Sequence, residues 1–474
     1  MNTFTRIFKT YNLKEVYTPN TAAKLTYIKR EIIENDLEKY ISLPGKQIFI
    51  YGHSGSGKTT LLRNKLKEVN QNFIRTHCET STTFDEILLQ AFDDLNRFYI
   101  SEKSSNSQYS ISSELKAEYQ LINSSIKATN SVSKGHKTVR IVPPQLTPQK
   151  LASFLGEIDC VWIIEDFHKV ILEEKQRIAD VVKIFIDSAN DFENVKIICI
   201  GAVGTARELI ELDDNLNTRV AELYVPLLTN KEIEKIVKKG NNLMNIKMSD
   251  NLIDKIVYYS NNLASITHQV CYDLCFDKNL KKSSIFSSKL DEDVFKTAVN
   301  SYVRKNSDTY NKLYESILCQ TYGWNILKTF DYKEKEYLTF DEIKRGIPND
   351  KRPTVVKLEN YLHQLGSSEY NAIIRYDRNS KKYSISTPFF RAFLKMKLAL
   401  EKSELEERNK RRNNKKQKKY NIDKPKENFI SNMMLDEDFF KIYYQYLDSY
   451  IIKDLKNKEE LDKLRTTKYK NNKG

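Results

Sequence analysis

Lys58 and Thr59 close the run Gly52-His53-Ser54-Gly55-Ser56-Gly57-Lys58-Thr59, a spacing of the form G-x-x-x-x-G-K-[ST]. Glycines at these positions let successive backbone N–H groups turn toward phosphate oxygens, and a helix starting here adds the partial positive charge of its N-terminus. In that arrangement Lys58 reaches the β- and γ-phosphates, Thr59 offers a hydroxyl to Mg²⁺, and Thr60 continues the cradle. The motif requires a strand before it and a helix after it. Gln47-Ile48-Phe49-Ile50-Tyr51 is a short apolar run fit for the strand, and Leu61-Leu62-Arg63 opens the helix. The context separates this stretch from an idle glycine-rich turn.

A second chemical signal lies downstream. Cys160-Val161-Trp162-Ile163-Ile164 is apolar throughout, as a parallel strand buried on both faces is, and it ends in Glu165-Asp166-Phe167-His168. Carboxylates at the carboxyl end of a strand, opposite a phosphate loop, position a divalent metal and activate water. By position Glu165 holds Mg²⁺ and Asp166 polarises the attacking water. His168 reads either as a sensor of the γ-phosphate or as a surface histidine beside the next helix. Arg219 precedes Val220-Ala221-Glu222-Leu223-Tyr224, a last strand. It reads either as a residue that stabilises transferred charge across a subunit boundary or as an ion-pair partner of Asp213 or Asp214. Lys29-Arg30 approaches the nucleotide base or a neighbouring subunit, or else forms an exposed basic turn.

The elements that must hold these residues follow from periodicity. Residues 1–20 read as an irregular lead-in and 21–40 as a helix, with Ala23, Tyr27, Ile28, Ile32 and Leu37 at helical spacing. Residues 72–78 and 195–201 are further strands, and 83–92 and 177–190 are helices. Between 101 and 148 the chain is polar and Ser-rich and reads as an insertion with one helix over 114–122. A basic, Ser-containing linker over 277–291 leads to helices at 339–343 and 353–365, then to runs 372–376 and 382–386 around a turn-rich tip. Helix, helix, hairpin is the winged-helix pattern. Lys357 on its second helix would enter a major groove, and Arg378, Lys381 and Lys382 on the wing would reach backbone phosphates of double-stranded DNA. Folding of this part back onto the nucleotide core as a switch is the alternative.

With 474 residues the chain exceeds one ordinary core and divides into several domains. Its net charge of +14 is concentrated late: residues 341–400 carry 12 Lys/Arg against 6 Asp/Glu, and 401–474 carry 20 against 14. Residues 401–419 read as a solvated charged helix, a linker or a nucleic-acid arm, and 429–464 as a docking helix with aromatics near helical spacing. The six cysteines are scattered, and Cys271 and Cys275 have no second pair at metal-ligand spacing, so reduced thiols and no zinc are expected. No signal-peptide pattern or membrane-length apolar run is present, and a cytoplasmic protein is expected.

Taken together, the phosphate loop, the acid pair, the 195–207 segment and "NTRVAELYVPLLTNKEIEKIVKKG" resemble AAA+ ATPases of the origin-recognition-like and STAND branch, including bacterial members linked to mobile elements and phage defence. The resemblance covers residues 20–400. It implies an α/β P-loop fold with a five-stranded parallel sheet in order 5-1-4-3-2, a helical lid and a winged helix. The domains are then a core over 1–228, a lid over 229–290, a linker and winged helix over 291–400, and a basic C-terminal segment over 401–474. In related ATPases a polar group at the tip of the 195–201 strand contacts the γ-phosphate, which makes Thr205 a candidate. In related lids a basic residue on the third helix touches the phosphates, and His268 stands in its place unless it is a buried structural histidine. The implied ligands are ATP and Mg²⁺, and the implied partners are further copies of the chain, a sister subunit or effector, and DNA. The reversed acid order departs from the usual Asp-first pair and points to slow hydrolysis. The reading is an ATPase switch acting on DNA; the alternatives are a signalling ATPase that never touches DNA and a scaffold without turnover.

Overall fold

Five apolar runs become five strands: β1 (Gln47–Tyr51), β2 (Asn72–His77), β3 (Cys160–Glu165), β4 (Ile197–Gly201) and β5 (Val220–Tyr224). All pair in parallel, in the order β2-β3-β4-β1-β5, which is the expected order read from the other edge. The protein is described here from a computed structural model, which covers residues 9–99, 116–124, 146–202, 216–318, 320–332, 335, 337–367, 370, 372–378 and 380–420. Thr205, Asp213, Asp214 and the 429–464 segment lie outside these residues.

Alternation along the strands divides the core in two. Ile48, Ile50, Val161, Ile163, Ile198 and Ile200 pack on one face with Leu37 of helix α1 (Glu31–Ser42) and Leu61, Leu62 and Leu66 of α2 (Lys58–Glu68). Phe49, Ile74, Trp162 and Ile164 face the other way, onto α3 (Phe84–Tyr99), α4 (Pro148–Gly156) and α5 (Leu172–Ser188). Continuous burial on both faces is what makes these strands read as unbroken apolar runs. Each fully buried Ile or Leu contributes roughly 1.5–3 kcal/mol. The polar atoms enclosed by this packing are paired: Trp162 Nε1 donates to Thr76 Oγ1 at 2.9 Å.

Lys196, ahead of β4, is almost fully buried, and its ammonium donates to the carbonyls of Tyr40, Ile41 and Leu43 at the end of α1. Burial pushes its pKa down to about 8. The carbonyls at a helix C-terminus have no intrahelical donor, and here a lysine from a distant strand supplies one.

One sequence expectation is corrected. The helix foreseen over 21–40 starts only at Glu31, where the Glu34 carboxylate accepts the Arg30 backbone N–H at 2.9 Å. Upstream, Thr26 Oγ1 donates to the Val16 carbonyl at 2.9 Å and holds residues 18–28 as a folded strap. Pro19 and this side-chain-to-backbone bond compete with the helical ladder, so apolar spacing alone misplaced the boundary.

Beyond β5 come α6 (Asn230–Met244), α7 (Asp250–Ser260) and α8 (Ala264–Asp277), in the positions foreseen for the lid. Thr229 and Glu232 form a reciprocal capping box that starts α6. A two-stranded pair, β6 (Ile246–Met248) and β7 (Ser288–Leu290), closes this region. Helices α9 (Asp293–Lys305), α10 (Ser307–Leu318) and α11 (Gly323–Tyr332) lead to β8 (Tyr337–Thr339), α12 (Phe340–Arg345), α13 (Val355–Leu365), β9 (Ile374–Asp377) and β10 (Lys382–Ile385). The three strands form an antiparallel sheet in the order β8-β10-β9. Helix α14 (Pro388–Tyr420) follows and crosses the boundary between two compact units, Met1–Glu404 and Leu405–Gly474. Among the described residues no helix is long and apolar enough to cross a membrane.

Candidate functional site: a phosphate loop between two cavities

Gly52 leaves β1 so close to the Val225 carbonyl that a Cβ there would collide with it. Gly55 has φ 80°, a left-handed conformation natural to glycine, and a Cβ would lie 2.6 Å from Leu263 Cδ2 and 2.8 Å from Phe389 Cζ. Leu263 precedes the third lid helix and Phe389 lies in the first turn of α14. Two separate parts of the chain therefore rest on the same glycine. Helix α2 begins at Lys58 directly after the loop, so its free N–H groups face the loop's hollow. The Lys58 ammonium donates to the carbonyls of Gly52 and His53, at 2.8 and 2.9 Å. Burial lowers its pKa, and Asp166 opposes that shift.

A cavity of about 450 Å³ opens on one side of the loop, between Gly55–Leu61, the 18–28 strap and the lid. Four buried polar atoms without a partner line it: Thr18 Oγ1, Ser56 Oγ, Ser265 Oγ and His268 Nε2. A buried polar group left unpaired costs on the order of 1–3 kcal/mol, so several converging on one space fit a polar ligand. His268 Nδ1 accepts the Thr18 N–H at 3.1 Å, which assigns the neutral ring's proton to Nε2. Burial pushes the His268 pKa down to about 4. His268 is thus in the wall of the cavity and neutral.

Arg30 also borders this cavity, but its guanidinium is engaged. It donates to the Pro226 and Leu227 carbonyls at 2.9 and 3.3 Å and lies 3.3 Å from Glu232 Oε1. It clamps the crossing from sheet to lid and is neither an exposed turn nor a free contact.

The two acids diverge. Glu165 lies 3.6 Å from Arg75 Nη1 and 3.5 Å from His77 Nδ1, both on β2. Asp166 adopts φ 60°, pairs with Lys169 at 2.8 Å and is the acid coupled to Lys58. His168 is exposed, and partial desolvation lowers its pKa. Arg219 sits at the opposite end of the sheet: its carbonyl accepts the Gln47 N–H at 3.0 Å, and its side chain is 3.8 Å from Asp187. A strand of five residues, roughly 17 Å long, separates it from the phosphate loop of its own chain. Lys357, Arg378, Lys381 and Lys382 are all exposed on the C-terminal module. Arg352, a neighbouring cation, is instead tied to the Ile347 carbonyl.

The loop, the following helix and the parallel sheet with its inserted β3 and β4 have counterparts among known proteins. Residues 44–211 match the family model of an AAA domain. Among curated proteins none matches the chain. Solved structures similar to it include the Walker-type ATPase PABY2304 of Pyrococcus abyssi, 15% identical with a TM-score of 0.47, over 78% of this chain and 96% of that one. The ORC2 protein of Aeropyrum pernix is 11% identical with a TM-score of 0.44, over 83% and 98%. Cdc6p of Pyrobaculum aerophilum is 15% identical with a TM-score of 0.39, over 82% and 98%.

Within the matched stretch, the groups whose chemistry would suit Mg²⁺ are the Thr59 hydroxyl and the Glu165 and Asp166 carboxylates, Glu165 being paired here with Arg75 and His77 and Asp166 with Lys169. Among the described residues no cluster of three or more His, Cys, Asp or Glu side chains is placed to hold a metal unaided, so the fit relies on the phosphate oxygens of a bound nucleotide. The five described cysteines are buried free thiols. Thr18, Ser265 and Phe389 were not found from sequence. Only Thr18, beside the turn signal Pro19-Asn20, carried any local hint.

Proposed function

We propose that the protein is an ATP-binding AAA+ ATPase that turns over slowly and acts as a conformational or assembly switch on DNA. The observation that carries the reading is Gly55, on which Leu263 of the lid and Phe389 of the C-terminal module both rest. A phosphate loop that changes shape on filling pushes on both. Gly52–Thr60 would cradle the phosphates of ATP, Thr59 would hold the Mg²⁺ that offsets their charge, and the neutral His268 would face the remainder of the nucleotide. Asp166 orients water beside Lys58. Glu165, held by Arg75 and His77, is withdrawn from that task, in keeping with slow hydrolysis.

The element order α11, β8, α12, α13, β9, β10 supports a winged helix, with the exposed Val355, Val356 and Asn360 beside Lys357 on the helix that would enter the major groove. Arg378, Lys381 and Lys382 then lie along the phosphates. The same contact at Gly55 also favours a second reading, a signalling ATPase that passes its nucleotide state to an effector or sister subunit, as in mobile-element or phage-defence systems, without binding DNA. Reversing all three wing charges to Glu separates the two. Under the first reading, duplex binding measured across a salt series loses affinity, and its salt slope falls by about 0.9 per phosphate contact removed. A wild-type protein that binds no duplex, or a variant that binds as well, leaves the signalling reading.

A further inference from the structure

The phosphate loop has a second open side. A cavity of about 580 Å³ is bounded by Gly52, His53, Ser54 and Ala202 on the AAA domain and by Tyr310, Arg375 and Phe389 beyond the lid, among other residues. Lys58 marks what this side is for. Its ammonium is drawn to the Gly52 and His53 carbonyls, so the loop's own cation lies at the end that borders this second cavity, away from the strap and His268. A triphosphate chain entering from the base-side cavity ends here. Ala202, at the tip of β4, brings no polar side chain to this end.

Among the described residues lining this cavity, Arg375 is the one permanent cation. It is exposed, and its guanidinium makes no hydrogen bond or ion pair among the described residues. Its position is nonetheless fixed: Ile373 and Ile374 beside it are buried, and it stands opposite Ser384 in the β9–β10 register. Wing cations farther along, such as Arg378, do not line the cavity. A guanidinium with all its donors free, held on a strand over a phosphate loop, has the fork geometry that takes a phosphate oxygen pair.

Building on the ATP-site reading above, we infer that Arg375 is a specificity-determining residue that contacts the terminal phosphate of a bound nucleoside triphosphate, supplied by the C-terminal module to the AAA domain of its own chain. A diphosphate ends one phosphate short and leaves the guanidinium in water. The third phosphate therefore draws β9, and the module with it, against the loop.

The test measures affinities for ADP and for a non-hydrolysable ATP analogue in the full chain, for wild type, Arg375→Gln, Arg375→Lys and, as a control at an exposed arginine that does not line the cavity, Arg345→Gln. Loss of a charge-assisted hydrogen-bond pair lowers triphosphate affinity about tenfold in Arg375→Gln. ADP affinity stays within about twofold of wild type, since no ADP contact is removed. Arg375→Lys retains the charge without the fork and falls between, and Arg345→Gln behaves as wild type. An unchanged triphosphate-to-diphosphate ratio in Arg375→Gln, or an equal loss for both nucleotides, overturns the assignment while leaving the ATP site intact. A wild-type protein that binds neither nucleotide overturns the ATP-site reading as well.

Discussion

The two sides of the phosphate loop are built on different principles. Toward the strap, the wall carries unpaired polar atoms of Thr18, Ser265 and His268, and Arg30 beside them is already tied to carbonyls and to Glu232. Toward the helices and hairpin after β7, the wall includes Arg375, exposed on β9. Under the proposed reading, the first side would hold the nucleotide through uncharged polar groups, and the second would respond to the length of the phosphate chain through Arg375. Binding and reporting would then be separated across one loop.

Removing what both sides share has the largest effect. Lys58→Ala deletes the loop's cation, and steady-state phosphate release falls on the order of 100-fold. An unchanged rate would detach the loop from the chemistry and dissolve the comparison.

Acid probes the strap side through His268. Burial pushes the His268 pKa down to about 4, whereas an unfolded histidine titrates near 6.5, so between these values the unfolded chain binds the additional proton. Stability is complete above the unfolded value and is lost as pH falls toward the folded one, by about 2 kcal/mol between about pH 7 and pH 5. Urea titrations at the two values measure it, and His268→Gln should remove this share of the slope.

The smallest effect tests the junction. Gly55→Ala places a methyl against Leu263 and Phe389 in a left-handed backbone, and nucleotide affinity drops roughly tenfold from about 1–2 kcal/mol of strain. Adding Phe389→Ala recovers part of the loss if α14 truly leans on the loop. No recovery would assign the strain to the backbone and Leu263 alone.

Legibility followed the range of the interactions. Gly52–Thr60 could be read because a phosphate loop is a local device whose residues are neighbours in sequence. The strands could be read because burial on both faces leaves unbroken apolar runs, and α6 because Thr229 and Glu232 announce its start. The start of α1 was missed by ten residues, since the strap is held by Thr26 reaching back to Val16 and no periodicity encodes that bond. Glu165 falls at the end of β3 and Asp166 directly after it, as the apolar run implied, yet the partners of Glu165, Arg75 and His77, arrive from β2, some 90 residues earlier. Arg375 lay between two residues singled out for a hairpin and carried no sign of its cavity, because only the folding-back of the module sets it over the loop.

Lys196 bears on the order in which the domain is assembled. The carbonyls that finish α1 belong to Tyr40, Ile41 and Leu43, and their donor is more than 150 residues away in the chain. A nascent chain that has emerged only through β3 possesses α1 but not its final turn's partner. The helix remains frayed at the end that leads into β1, and the phosphate loop is hung from an unfinished support until β4 is inserted between β3 and β1. Such non-local closure is slow and comes late in folding. The support of the proposed phosphate site is therefore complete only once β4 is in place.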